Sequence, residues 1–240
     1  AAAGILGSSH ILEADFGGFF STASSDYSLE SVTQGLGHEY RMLGLQTKAF
    51  PIPASLTTAV ECAIGLHDEH GLDASRIREV VLHTNRAVAT QCGRQLVLSE
   101  KPDVLGQRAQ LSAPYIIATA LVDGAFDITH LTDATTMMRD DVLALSRRVR
   151  VVVDEALDRD YPTVPANRIE IRSMDGQTYS ASIEWPFGSV TRPPTVDYMR
   201  RRFSSHAGLA GAGAVADDIA EAIDGLEESS DVTEVFDAIG

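Results

Sequence analysis

The sequence predicts an α+β fold, with helical segments at both ends of the chain and a mixed region between them. Helical patterns dominate the first 40 and the last 45 or so residues, whereas residues 77–83 alternate as a strand does. Asp175-Gly176 separates two further strand-like segments and is a strong hairpin signal. This segregation is typical of α+β proteins and would allow the two ends to pack as one domain with the middle inserted.

Helix and strand patterns predict the first half of the chain in order. We expect the end of an apolar helix at residues 1–12, an aromatic loop at 16–25, a short helix at 29–36 and an extended segment at 42–50. A helix at 55–70, a strand at 77–83 and a long helix at 107–123 should follow. Gly71 should end the predicted helix at residues 55–70 in a left-handed conformation. Pro114 must be accommodated by a kink or by a first turn.

The second half continues with helix, strand and hairpin, and then with helices only. We expect a helix at residues 140–148 and strands at 149–154, 168–174 and 178–185. A helix at 195–203, a flexible linker at 208–214 and amphipathic helices at 215–226 and 232–239 should follow. Pro193-Pro194 separates the hairpin from the closing helices.

Composition narrows the classes of function. The 240 residues are 44% hydrophobic and 22% charged, enough for a substantial core. A formal charge of −15 would repel a phosphate backbone, so nucleic acid is not an expected partner. Without an apolar run near the roughly 20 residues that span a bilayer, and without a leader-like start, we expect no membrane association and a cytoplasmic protein.

The beginning of the chain suggests upstream sequence. It opens on Ala1-Ala2-Ala3, a helix without a cap, and its first methionine is Met42. We therefore expect a fragment, a processed product or a trimmed chain.

Several reactive residue types have ordinary structural interpretations. Cys62 and Cys92 lie in apolar helical stretches and fit small core residues better than catalytic thiols. His67 and His70 have helical spacing but no third metal ligand, which favours a solvated helix end. His130 has no evident partner and is interpreted as structural.

Two cationic segments are candidates for binding carboxylates. Arg200, Arg201 and Arg202 could hold an anion, although a solvated helix surface is the simpler interpretation. Lys48 stands directly before Ala49-Phe50-Pro51, where proline stiffens the backbone. An ordinary surface lysine remains the alternative. Nucleophile-elbow and phosphate-loop motifs are absent from the sequence.

Four stretches occur in a familiar order across nearly the whole chain. They are Ala2-Ala3 with Leu12-Glu13 and Gly17-Gly18-Phe19-Phe20, Lys48-Ala49-Phe50-Pro51 with Thr58-Ala59-Val60-Glu61, Ser112-Ala113-Pro114-Tyr115 with Leu121-Val122-Asp123-Gly124, and Asp175-Gly176 with Pro193-Pro194 and the closing helices. Together they resemble the carboxy-terminal portion of the MmgE/PrpD family, which includes 2-methylcitrate dehydratase, cis-aconitate decarboxylase and iminodisuccinate epimerase.

The resemblance implies an architecture and a site. Residues 1–42 and 194–240 would belong to an all-helical domain, and residues 43–193 would form an inserted α+β lid. The active site would lie between them, with no metal and no other cofactor. Lys48 would meet a substrate carboxylate and Tyr115 would line the cleft, both as catalytic residues.

The sequence also departs from the family pattern at positions that would contribute to the site. A histidine usually follows the lysine-aromatic-proline element, but here Pro53, Ser55 and Thr57 occupy the candidate positions. Ser55 and Thr57 could bind substrate by hydrogen bonds in its place. The acid-base aspartate and histidines of the family lie upstream of this chain.

The resemblance therefore implies a lyase for small polycarboxylates, with dehydration of a 2-methylcitrate-like hydroxy acid as the first choice. An isomerase or a decarboxylase of the same family is an alternative, as is an inactive binding or assembly module. The expected partners are the substrate and either a second copy, as a homodimer, or a missing amino-terminal half.

Overall fold

A computed structural model of the protein describes residues 7, 9–99, 101–231, 233 and 236. Its helices are α1 Phe19–Ala23, α2 Glu30–Thr33, α3 Thr57–His70, α4 Arg86–Cys92, α5 Pro102–Gln110, α6 Ala113–Asp123, α7 Thr129–Thr132, α8 Ala134–Met137, α9 Asp140–Ser146, α10 Glu155–Asp160, α11 Val196–Leu209 and α12 Ala216–Asp224. Its strands are β1 Ile77–Thr84, β2 Val149–Val153, β3 Asn167–Ser173 and β4 Thr178–Ile183.

The chain divides into two compact units, residues 1–45 and 46–240. The first contains α1, α2 and a 3-10 turn at Arg41–Gly44. Phe20 and Tyr27 stack there with ring centroids 5.6 Å apart. Among the described residues of this unit no large apolar side chain is buried, and Phe16, Leu36 and Leu43 are strongly exposed.

The second unit is built on a four-stranded mixed sheet in the order β2-β1-β3-β4. β1 pairs parallel with β2 and antiparallel with β3, and β3 and β4 form the antiparallel hairpin. Gly176 makes the hairpin turn with φ of +89°, a conformation that glycine adopts without a steric penalty. The mixed sheet and the surrounding helices confirm the predicted α+β class.

The two faces of the sheet differ in chemistry. Val80 and Leu82 of β1 share one face with Ile169 and Ile171 of β3, and α3 and α6 pack against this face to form the core. The opposite face carries charges, including Glu79 of β1 paired with Arg150 of β2 and Arg172 of β3. The predicted separation of Val80 and Leu82 from Val81 is confirmed by this register.

Several predicted elements are confirmed and others need correction. α3 ends at Gly71, which has φ of +54° as predicted. The predicted helix at 107–123 is two helices, because Leu111 and Ser112 interrupt it and Pro114 lies in the first turn of α6. Residues 42–50 contain no strand, and their start forms a 3-10 turn.

The closing region also differs from the prediction. α11 runs to Leu209, well beyond residue 203, so Gly208 is helical rather than part of a linker. The predicted helix at 1–12 falls mainly on residues outside the described part, as does the predicted helix at 232–239. Residues 9–13, which are described, form turns. The assignment of 1–42 and 194–240 to one domain around a lid at 43–193 remains a prediction.

Candidate functional site

The segment that carries Lys48 is fixed by its backbone. Thr47 N–H donates to the carbonyl of Gly188 at 2.8 Å, and the Arg202 guanidinium donates to the carbonyl of Lys48. Gln110 Nε2 donates to the carbonyl of Pro51 at 2.8 Å. The segment is therefore held on both sides of Lys48, while the Lys48 side chain itself is exposed to solvent.

Gly188 makes this anchoring possible. It has φ of +91°, and a Cβ there would collide with the carbonyl oxygen of Thr47. Both the conformation and the close approach of the two backbones require glycine. The sequence alone did not single out Gly188, because its partner lies more than 140 positions away in the chain.

A depression of about 440 Å³ adjoins the Lys48 segment on the side of α11. It is lined by the neighbours Ala49 and Pro51, by Phe126, Asp127 and Ile128, and by Tyr198, Arg202, Ser205 and His206 of α11. Arg202 and His206 lie one helical turn apart, so they project from the same face of α11. The depression thus combines a guanidinium, an imidazole, two hydroxyls and a carboxylate, and it is lined by Ala49 and Pro51, which follow the exposed Lys48.

A second depression of about 440 Å³ lies on the other side of Ala49 and Tyr198, which line both. Its wall contains Glu61, which accepts from Phe187 N–H at 2.7 Å and pairs with Arg192 at 2.7 Å. Because Arg192 is already compensated, this depression offers a ligand less free positive charge than the one containing Arg202.

Tyr115 lies inside the core and has no exposed surface. Its hydroxyl donates to the carbonyl of His130 at 2.7 Å. Burial raises the pKa of Tyr115 to about 12, so the phenol keeps its proton at neutral pH. Tyr115 was expected to line the cleft; the structure instead places it behind the wall formed by Phe126, Asp127 and Ile128, and a catalytic role remains a prediction.

His130 connects Tyr115 to that wall. Its Nδ1 lies 3.0 Å from both the backbone N and the Oδ1 of Asp127, and its Nε2 lies 3.2 Å from Asp123 Oδ2. The ring also stacks on Phe126 with centroids 5.3 Å apart. His130 is buried, which agrees with the structural interpretation, and it has the partners that the sequence did not reveal.

Arg139 and Thr129 complete the network. Arg139 donates to Asp123 at 2.8 Å and to Asp141 at 2.7 Å. Burial alone would raise the pKa of Asp127, but hydrogen bonds from Thr129 and His130 outweigh it and hold that pKa below its usual value. Asp127 therefore presents a carboxylate to the depression at neutral pH.

Ser55 and Thr57, predicted to bind substrate, lie at the start of α3. Ser55 is half-buried and its carbonyl accepts from Asn167 at 2.8 Å. Thr57 is fully buried, and its hydroxyl has no hydrogen-bond partner among the described residues. Neither lines the depression beside Lys48. Their proposed contact with substrate remains a prediction.

The other candidate residues have structural roles. Cys62 and Cys92 are free and buried, as expected, and burial raises the pKa of Cys62 to about 12. His67 lies against the carbonyl of Leu121 at 2.9 Å, and His70 packs on Tyr179. Within the described part of the chain, no group of three or more histidine, cysteine or acidic side chains could hold a metal ion. No helix of the described residues is long and apolar enough to cross a bilayer.

The three consecutive arginines separate in space. Arg200 pairs with Asp224 of α12, whereas Arg202 contacts the Lys48 segment. Arg201 is exposed. The sequence identified the cluster but could not assign one member to Lys48, because only the docking of α11 brings them together.

The structure defines an α+β domain with a surface depression that contains Arg202 and His206 on one side and Asp127 on the other. The family model described as the MmgE/PrpD C-terminal domain matches residues 50–228, and this chain belongs to the MmgE/PrpD family. The matched range begins two residues after Lys48.

Two curated relatives agree with the family. The chain is similar to a cis-aconitate decarboxylase from Aspergillus terreus, with 24% identity over 241 aligned residues covering 95% of this chain and 48% of the relative. It is also 23% identical to the cis-aconitate decarboxylase of Aspergillus terreus strain NIH 2624 / FGSC A1156, with the same coverage. The chain thus spans about half the length of these curated relatives.

Proposed function

We propose that this chain forms the substrate-orienting part of a lyase that acts on small polycarboxylates. The proposal rests on Lys48, whose side chain is exposed and whose carbonyl accepts a hydrogen bond from Arg202. The adjoining depression contains both Arg202 and His206. The family membership and the two lyase relatives support the reaction class.

The chemistry of polycarboxylates explains why these side chains suit the task. A di- or tricarboxylate can be held by the Lys48 ammonium and the Arg202 guanidinium, and binding at two points fixes its orientation. Removal of a proton next to a carboxylate, or loss of carbon dioxide, develops negative charge on the substrate. A cation fixed beside that position lowers the barrier because it interacts most strongly with the charge in the transition state.

Dehydration of a 2-methylcitrate-like hydroxy acid remains the first proposed reaction. Decarboxylation of an unsaturated tricarboxylate is the second candidate, because both relatives carry the name cis-aconitate decarboxylase. The two reactions share the carboxylate-binding requirement and differ in which bond breaks after binding. Isomerisation is a further outcome of the same first step.

The exposed apolar side chains of the first unit support a second proposal, that another polypeptide binds there. Its exposed large apolar side chains are Ile11, Leu12, Phe16, Phe19, Tyr27, Leu29, Val32, Leu36, Tyr40, Met42, Leu43 and Leu45. So many exposed apolar groups in a short segment are typical of an interaction surface. We propose that an upstream helical half covers them, with a second copy of the chain as the alternative.

The lysine content of the protein permits a direct binding experiment. The whole sequence contains two lysines, Lys48 and Lys101. Acetylation of each with an amine-reactive ester can be followed by mass spectrometry, with 2-methylcitrate or cis-aconitate added at constant ionic strength. Substrate should slow acetylation of Lys48 several-fold and leave Lys101, which is also exposed, unchanged. Equal protection of both lysines, or of neither, would contradict the assignment of Lys48.

Activity is then measured on the chain in complex with an MmgE/PrpD helical half. Lys48→Ala should lower kcat/KM at least about 100-fold, since an electrostatic contact made in the transition state is worth roughly 3 kcal/mol. Lys101→Ala is the matched control and should retain full turnover. An active Lys48→Ala complex would remove Lys48 from the site, and an inactive wild-type complex would favour a binding or assembly module.

A further inference from the structure

A cluster of arginines lies at the end of the sheet where β1 and β2 begin, among residues that the proposed site does not use. A depression of about 340 Å³ is lined by Arg78, Arg147, Arg148 and Arg150, with Glu79 as the single acidic residue. In a chain with a formal charge of −15, four guanidiniums around one carboxylate form a strong local excess of positive charge.

Glu79 does not neutralise this cluster. It accepts from Arg150 at 2.5 Å and from Arg172 at 3.2 Å, so its charge is already shared between two cations. Among the described residues, neither Arg78 nor Arg147 forms an ion pair. At least two guanidiniums in the described part of the chain are therefore exposed to solvent without an ion-pair partner.

The backbone orients two of the arginines. Arg148 donates to the carbonyl of Ile77 at 2.6 Å, which fixes its guanidinium without cancelling its charge. The pairing of β1 with β3 skips Arg78, because Ile77 pairs with Ser173 and Glu79 pairs with Arg172. Arg78 therefore lies in a bulge without a paired residue on β3, and its side chain is exposed.

The end of α9 offers a simpler explanation for part of the cluster. Basic side chains are favoured at the carboxyl end of a helix, and Arg147 directly follows α9. This explains one cation at most. Arg78 and Arg150 come from strands, and only Arg150 of the two is paired with Glu79. Placing Arg78 in the same depression as the other guanidiniums raises the electrostatic energy, and a bound anion would lower it.

We propose that this depression, the arginine site, binds a multivalent oxyanion. Guanidinium groups recognise phosphate and carboxylate oxygens through paired hydrogen bonds, and several of them together select for more than one negative charge. The ligand is a small phosphate-bearing or polycarboxylate molecule. The arginine site consists of different residues from the depression beside Lys48, so its binding does not depend on the proposed lyase function.

Calorimetric titration of the chain with inorganic pyrophosphate tests the inference, with citrate titrated separately at the same ionic strength. Tighter binding of pyrophosphate indicates a phosphate-bearing ligand, and tighter binding of citrate indicates a polycarboxylate. Arg78→Gln combined with Arg147→Gln should weaken the preferred anion at least tenfold. Arg159→Gln combined with Arg201→Gln removes the same charge elsewhere and should change affinity less than twofold.

Two further measurements make the result decisive. Both titrations are repeated on Lys48→Ala, which should leave unchanged the anion binding that depends on Arg78 and Arg147. Citrate binding that is lost in this variant belongs instead to the proposed substrate site. If the two double variants lose the same affinity for the anion, binding reflects the general charge of the protein and the proposal is overturned. Undetectable binding of both anions to the wild-type chain would also overturn it. Dimerisation of the chain that requires Arg78 and Arg147 would instead assign the cluster to an acidic surface of a second copy.

Discussion

The depression beside Lys48 has two walls that differ in construction. The wall at Phe126–Ile128 is backed by buried groups, with Tyr115 bonded to His130 and His130 bonded to Asp127. The opposite wall consists of the Lys48 segment and α11, where Arg202 is half-buried and Lys48 is exposed. The first wall is held from behind by the core and exposes the Asp127 carboxylate, whereas the second exposes cations and has no such buried network behind it among the described residues.

This difference separates stability from ligand binding. A buried hydrogen-bonded group loses packing and leaves its partner unsatisfied when it is removed, so its substitution destabilises the fold. An exposed cation makes little net contribution to folding but can contribute strongly to the binding of an anion. Substitutions in the core-fixed wall should therefore lower the free energy of unfolding, and substitutions in the exposed wall should weaken binding.

The largest effect is expected at Tyr115. Tyr115→Ala should lower the free energy of unfolding by about 3–5 kcal/mol, because it creates a cavity in the core and leaves the His130 carbonyl without its donor. Urea denaturation followed by circular dichroism measures this loss. Tyr115→Phe keeps the ring and should cost only about 1–2 kcal/mol.

Tyr115→Phe also separates the two possible roles of this residue. If Tyr115 acts only through the wall, the folded Phe variant in complex with the helical half should keep KM and the pH profile of turnover. A loss of kcat far beyond the loss of stability would instead make the hydroxyl catalytic and would break the contrast between the walls.

The next effect is expected at Arg202. Arg202→Gln removes a charge-assisted hydrogen bond to the Lys48 carbonyl and a cation from the depression. Protection of Lys48 by polycarboxylate should weaken about tenfold, equivalent to roughly 1.4 kcal/mol. The free energy of unfolding should change by less than about 1 kcal/mol because the side chain is partly solvated.

Arg201→Gln is the matched control for this variant, since Arg201 is the next residue of α11 and does not line the depression. This variant should retain the free energy of unfolding of the wild-type protein and the protection of Lys48 by polycarboxylate. If the two variants weaken protection equally, the general charge of α11 rather than the position of Arg202 determines binding.

The smallest effect concerns the pH dependence of stability. The folded pKa of Asp127 is depressed, so the carboxylate stabilises the fold above its unfolded pKa of about 3.9 and this contribution is lost as pH falls through the folded pKa. The free energy of unfolding should therefore decrease between about pH 5 and pH 2. Asp127→Asn should reduce the slope in that range, as measured by denaturation at stepped pH. An unchanged slope would show that other carboxylates carry the acid sensitivity.

Local patterns predicted much of the fold. Apolar periodicity and a terminal glycine located α3, alternation located β1, and Asp175-Gly176 located the hairpin of β3 and β4. These signals depend on neighbours within a few residues, so one sequence contains them. The break between α5 and α6 was missed because the apolar pattern continues across Leu111 and Ser112, although Ser112 caps α6 and Pro114 lies in its first turn.

The candidate site was predicted only in part. Lys48 was identified by its stiff aromatic-proline context together with the family resemblance, whereas Gly188, Arg202 and His206 were not assigned to it. Their contacts with the Lys48 segment or its depression join residues some 140 to 160 positions apart. The burial of Tyr115 was also not predicted, because a tyrosine on an apolar helix face can point into a cleft or into the core.

The sequence by itself determined the α+β class, the family and the presence of a lysine held by a rigid backbone. Those properties follow from local conformational preferences and from the order of motifs along the chain. Only the tertiary structure decided which cations share a depression and which polar groups are buried, because burial and charge proximity arise when distant segments pack together.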